Sequence, residues 1–169
     1  EIGVDGLIVQ DMGLLECNLP PLPLIASTQM HNDTPEKAAF LHGVGFQRII
    51  LARELSLDRI AALRKAAPQI ELECFIHGAL CVCYSGQCAM SYALGGRSAN
   101  RGQCAQPCRK SYTLLDGQGN SIGGERHWLS IRDLNLTDFL RQLIEAGVCS
   151  FKIEGRLKDR AYIATVTAH

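Results

Sequence analysis

Short apolar runs recur along the chain, separated by stretches with helical spacing. The runs are Leu7–Gln10, Pro23–Ser27, Arg48–Ala52, Ile70–Ile76 and Cys149–Ile153. Each has the length of a buried strand. Thr34 is a good N-cap, with Pro35 at the first helical position and Glu36 next, and Gly43 and Gly45 stop that helix. Ser56 opens a second helix over Leu57–Ala67, with Ile60, Leu63 and Ala67 on one face and Pro68 at its end. Helical spacing returns at Leu136, Phe139, Leu140, Leu143 and Ile144, followed by Gly147, and again from Asp159. Tyr112–Leu115 and His127–Ser130 flank Asp116-Gly-Gln-Gly-Asn120 and read as a hairpin. Glu1–Gly6 reads as the end of a helix and its turn. A chain that opens in mid-pattern and without Met reads as a fragment of a longer protein.

Helix, glycine and strand follow one another at Phe40–Phe46 and again at Leu143–Cys149. This near repeat suits successive units of a β/α barrel. The expected class is therefore α/β. Residues 1–169 would form the C-terminal part of a TIM-type barrel domain, with an inserted cysteine-rich segment at 78–110 and a small hairpin at 111–131. Barrel chemistry sits where the parallel strands end. The successive strand ends offer Gln10 and Asp11, Thr28 and Gln29, Arg53 and Glu54, His77, then Glu154 and Arg156. Loop starts are often polar anyway. The stronger sign is parity: Glu71, Glu73, Phe75 and His77 share one strand face, as do Lys152 and Glu154. Charges inside a barrel need partners, which predicts a Lys152–Glu73 pair.

Composition adds one feature. Net charge is zero, with 17 basic and 17 acidic side chains, so overall charge says nothing about partners. Its distribution is uneven. No Asp or Glu occurs from Cys74 through Leu115, whereas Arg97, Arg101, Arg109 and Lys110 do. The same segment holds Cys81, Cys88, Cys104 and Cys108 in the pattern Cys-x6-Cys-x15-Cys-x3-Cys. Such a group holds a metal, closes disulfides or simply packs. Disulfide scaffolds are mostly short and loop-rich, whereas 47% of this chain is hydrophobic, enough for an ordinary core. Zinc ribbons pair their ligands as close knuckles, a template that these gaps fit poorly. Irregular gaps suit a four-iron cluster better, because its corners lie farther apart than the ligands of one zinc. Cys17, Cys74, Cys83 and Cys149 read as packing residues, although Cys83 lies between two proposed ligands. The basic residues either compensate thiolates or dock an anionic backbone.

The segment Glu71–Ser91 resembles the signature of peptidase family U32. It reads Glu73, then Phe75, then Gly78-Ala79-Leu80-Cys81, then Gly86-Gln-Cys88-Ala-Met-Ser91. The resemblance continues through Arg97–Arg109 and Phe151–Arg156, and through Ala26–Gln29 and Thr34–Glu36. Within the family it is closest to the branch that hydroxylates a cytidine of ribosomal RNA, with transfer RNA and ubiquinone hydroxylation branches related. The resemblance implies a bacterial, cytoplasmic barrel with no membrane partner. It further implies a 4Fe–4S cluster on Cys81, Cys88, Cys104 and Cys108, with zinc or an empty site expected in aerobic preparations. The implied reaction is oxygen-independent hydroxylation of ribosomal or transfer RNA. Prephenate, a small carboxylated molecule, would be the hydroxyl donor, alongside an electron-transfer partner that the sequence does not name. Cys83 stands where another small residue is usual in that pattern. Candidate catalytic residues are Glu73, His77, Lys152 and Glu154. Candidate substrate-binding residues are Arg53, His77, Arg97, Arg101, Arg109, Lys110 and Arg156. The family name also implies a collagenase-like peptidase, but the chain has neither a Gly-x-Ser-x-Gly elbow nor a His-Glu-x-x-His helix. A non-catalytic RNA-binding fragment is the third reading.

Overall fold

The computed structural model describes residues 3–156 and 158–168. Its main sheet contains five parallel strands: β1 (Leu7–Val9), β2 (Leu24–Ala26), β3 (Phe46–Ile50), β4 (Glu71–Gly78) and β8 (Val148–Glu154). They lie side by side in chain order, which is how a singly wound β/α unit grows. The fold is α/β with a mostly parallel sheet. The expectation of barrel geometry needs correcting to this extent: the sheet among the described residues is open, running from β1 at one edge to β8 beyond β4. The expected helix end at Glu1–Gly6 falls partly on Glu1 and Ile2, which lie outside the described residues, and Gly3–Gly6 is not helical.

Two crossover helices show why the sequence signals succeed. In α1 (Pro35–Gly43) the Thr34 hydroxyl accepts from the Lys37 amide at 3.3 Å, with Pro35 in the first turn. In α2 (Leu57–Ala66) Ser56 occupies the N-cap position but makes no side-chain cap bond. Ile60, Leu63 and the following Ala67 are buried against the sheet, as their spacing predicts. On β4 the alternation is complete. Leu72 and Cys74 enter the core under the helices, while Glu73 and Phe75 point to the other face. Burial, together with the neighbouring Glu73 carboxylate, pushes the Cys74 thiol up to about 11. At pH 8 its thiolate fraction is then about a thousandth, so native alkylation labels exposed Cys17 and Cys149 well before Cys74. Peptide mass mapping with and without denaturant checks this order; labelling of Cys74 at the rate of Cys149 in folded protein would contradict it.

Between β4 and β8 the chain makes a long excursion that sequence periodicity described only in part. A short helix, α3 (Met90–Gly95), sits inside the cysteine segment. The hairpin pairs β5 (Tyr112–Leu115) with β6 (Ser121–Arg126), so its return strand precedes the predicted His127–Ser130. Gly123 and Gly124 both have positive φ there, a backbone that disguises the strand pattern. The excursion ends at β7 (Leu134–Asn135), which runs antiparallel beside the end of β4, with Gly78 opposite Leu134. A 3₁₀ turn at Thr137–Phe139 leads into α4 (Leu140–Glu145), the crossover to β8, and α5 (Arg160–Ala168) follows. Among the described residues, no helix is long and apolar enough to cross a membrane.

Candidate functional site

The sheet's open face carries the charges that parity placed there. Glu73, almost fully buried, accepts from Arg48 at 3.2 Å and from Ser150 at 2.9 Å, and Lys152 Nζ lies 3.4 Å from its other oxygen. The Arg48 guanidinium is held above its usual range, first by its hydrogen bond to Glu71. Two cations flank Phe75: Arg53 at 5.7 Å and Lys152 at 5.8 Å from the ring centre. His77 meets the Tyr162 hydroxyl through Nδ1 at 2.6 Å.

Beyond the strand ends lies a cavity of about 400 Å³. Cys81, Cys88, Cys104 and Cys108 all line it, and so does Cys83. Its other walls bring in Gln29 from the end of β2, Arg53 from the end of β3, and Glu154 and Arg156 from the end of β8. Arg156 reaches Glu154 at 3.2 Å. The cysteine segment thus sits over the face where parallel strands present their chemistry.

What docks the segment there is the pair Ser85-Gly86. Ser85 is fully buried. Its amide donates to Glu54, and its hydroxyl donates to the same carboxylate at 3.1 Å. That hydroxyl also accepts from the Arg53 amide and Nε, both at 3.2 Å. The Ser85 carbonyl meets His31 Nδ1 at 3.0 Å. Gly86 has φ +74, and a methyl group on it would lie 2.6 Å from the Gln29 carbonyl carbon. Only glycine allows that approach. Gly78 plays the same part at the end of β4, where a methyl would lie 2.8 Å from the Glu154 carbonyl carbon. Both glycines and Ser85 stand within the family-like motif, but the sequence gives no sign of what they touch.

The thiols themselves are set by backbone contacts. Cys104 Sγ accepts from the Gln106 amide at 3.3 Å, and buried Ser91 holds the adjacent loop by accepting from Ala105 at 3.1 Å. The Cys88 amide donates to Asn100 at 2.9 Å. Burial raises the Cys108 thiol; Arg109 partly offsets this, while Cys81, Cys104 and Cys88 add to it through charge repulsion. Burial likewise raises Cys83, with Cys88 and Cys81 adding to it. All eight cysteines are free thiols.

An all-sulfur donor set that shares one cavity, repels itself electrostatically and accepts an amide hydrogen bond fits an iron–sulfur cluster. Among the described residues no three His, Cys, Asp or Glu side chains are grouped as they would be around a single metal ion.

The predicted substrate-binding cations divide. Arg53 and Arg156 line the cavity. Arg109 also lines it, but its guanidinium is spent on structure, donating to the Leu80 carbonyl and, at 3.0 Å each, to Ser130 and the Ile131 carbonyl. Arg97, Arg101 and Lys110 are exposed outside the lining, and none forms an ion pair among the described residues. Of the predicted catalytic group, Glu154 lines the cavity; Glu73, Lys152 and His77 belong to the open sheet face and its contact with α5.

Comparison with known proteins places this geometry. The family description "Peptidase family U32" matches residues 1–169. The chain is 57% identical to the 23S rRNA 5-hydroxycytidine C2501 synthase of Escherichia coli, across all of this chain and 26% of that protein. It is 37% identical to tRNA hydroxylation protein P1 of Bacillus subtilis, across 99% of this chain and 42% of that protein. It is 32% identical to a collagenase of Porphyromonas gingivalis, across 96% of this chain and 42% of that protein. The chain therefore spans about a quarter to two fifths of the length of these relatives.

Proposed function

Because this chain belongs to peptidase family U32, we propose that it supplies the cysteine-lined cavity of an enzyme that hydroxylates a base of ribosomal or transfer RNA without dioxygen. The relatives named for rRNA and tRNA hydroxylation support the reaction class. The observation that carries the reading is the cavity itself, where four thiols and two arginines from different strand ends share one space.

Cys81, Cys88, Cys104 and Cys108 would hold a 4Fe–4S cluster, which supplies electron transfer when bound. Arg53 would bind the carboxylate of a small hydroxyl donor, for which prephenate is the candidate. Its guanidinium is already oriented by Ser85 and by the Phe75 ring, so little freedom is lost on binding. Arg156, which lines the same cavity, adds a second planar fork. Glu154, beside it, is the wall's carboxylate and would hold or move a proton. Outside, Arg97, Arg101 and Lys110, which form no ion pair among the described residues, would offer cations to a phosphate backbone. A separate electron-transfer partner completes the scheme, and the expected location is the cytoplasm.

The peptidase reading rests on the family's name and on that of the collagenase relative. The local geometry gives Ser85 a structural part rather than a nucleophile's. The Ser85 hydroxyl is occupied by Glu54 and Arg53, and His31 addresses the Ser85 carbonyl rather than its oxygen nucleophile.

The test is anaerobic incubation of the full-length, iron-loaded protein with unmodified RNA and candidate donors, followed by nucleoside mass spectrometry. A nucleoside heavier by one oxygen is expected. Iron-loaded protein that yields none, yet cleaves unstructured collagen-type peptide, would replace this reading with the peptidase one. The outer cations give a separate check. The double replacement Arg97→Gln and Arg101→Gln should lower the slope of log affinity against log salt by about 1.4–1.8, with donor binding unchanged. An unaltered slope would remove these two residues from the RNA path.

A further inference from the structure

The cavity's rim carries an aromatic ring that none of the roles above uses. Tyr84 lines the cavity between Cys83 and Ser85, yet it is 66% exposed. Isolated exposed aromatics are common and need no explanation. This one differs in how firmly its backbone is held. On one side Ser85 is fully buried and anchored to Glu54, Arg53 and His31. Gly86 is seated on the Gln29 carbonyl next to it, and the Tyr84 carbonyl accepts from the Gln87 amide at 3.1 Å. The ring and His31 stand at right angles, with centres 6.2 Å apart and planes at 84°, so His31 covers at most one of its two faces. Its hydroxyl makes no hydrogen bond among the described residues, so the ring is not exposed for the sake of a polar contact. A rigid, open aromatic face at the mouth of a cavity is what an unstacked nucleobase seeks.

We propose that Tyr84 is the stacking platform of the site: a single-stranded RNA base, drawn out of its stack, lies on the Tyr84 ring as it enters the cysteine-lined cavity. The inference rests on the RNA reading above and adds the residue that receives the base. The division of labour is physical. The outer cations attract any phosphate chain, whereas Tyr84 responds only to a chain that carries bases. An enzyme that modifies a base must take it out of the stack, and a preformed platform lowers the cost of that step.

The experiment uses full-length, iron-loaded protein and two probes of equal length and charge: a single-stranded oligocytidylate and an abasic ribose-phosphate oligomer. Wild-type protein should bind the oligocytidylate more tightly. Tyr84→Ala should lose about 5- to 150-fold of affinity for it, the range found for one stacked base, with affinity for the abasic oligomer unchanged. Tyr84→Phe should retain binding. Tyr92→Ala should behave as wild type, because Tyr92 is 69% exposed but lies outside the cavity lining. Iron content and the visible spectrum should be the same in all four proteins, which separates loss of stacking from loss of the metal site. If Tyr84→Ala weakens both probes equally, or neither, the assignment of Tyr84 is wrong while RNA binding stands. If wild-type protein binds neither probe, the RNA reading falls and Tyr84 with it.

Discussion

Serine at any one of positions Cys81, Cys88, Cys104 or Cys108 should strip most of the iron from anaerobically prepared protein. The four sulfurs line one cavity, so each replacement removes one corner of a shared site. Loss of a supporting residue around a metal typically costs about 10- to 100-fold in affinity, and loss of a direct ligand should exceed that. Cys149→Ser is the matched control. Cys149 is exposed on β8, where its thiol lies 3.6 Å from the Leu72 carbonyl, and it plays no part in the cavity. Iron and sulfide analysis with the visible spectrum reads the result. Cys83→Ser discriminates further: Cys83 lines the same cavity beyond the set of four, so it should leave the iron in place. Equal loss from Cys149→Ser and Cys81→Ser would end the assignment, and loss from Cys83→Ser alone would redraw the ligand set.

Gly86→Ala should be nearly as damaging, although it changes no ligand. The left-handed backbone costs about 1–2 kcal/mol for a residue with a side chain. The added methyl also drives into the Gln29 backbone, and such overpacking typically costs about 1–3 kcal/mol more. Gly102→Ala isolates the first contribution. Gly102 has φ +81, but a methyl there meets nothing within 4 Å, so only the backbone cost applies. Urea denaturation should rank wild type above Gly102→Ala and Gly102→Ala above Gly86→Ala, and Gly86→Ala should lose iron besides. Equal stability of the two variants would mean that the cysteine segment does not depend on this docking point.

Much of the scaffold was legible because its signals are local. Thr34-Pro35-Glu36 announces a helix start, and Ile60, Leu63 and Ala67 announce its neighbour's buried face; both are found in place. The parity of Glu73 and Lys152 led to a pair that forms at 3.4 Å. Nonlocal facts were not legible. β6 is fully exposed and contains two glycines with positive φ, so neither burial nor alternation marks it. β7 is too short to carry a pattern and exists because β4 offers it an edge. Arg109 reads as one more cation until its carbonyl partners are seen. Ser85 reads as a small loop residue until Glu54, Arg53 and His31 are found around it. Charge and spacing single out candidate residues, but only the fold says which of them line the cavity and which are spent on structure.

The excursion between β4 and β8 leaves at Gly78 and comes back at Leu134, and those two residues face each other across the β4–β7 pair. Departure and return are thus neighbours, and the parallel sheet continues past them as if nothing had intervened. In architectural terms the cysteine loop is a cassette. Its two ends sit on one strand pair, so the span it must close is the same whatever its length, and the buried Ser85-Gly86 pair then fixes it to the strand ends.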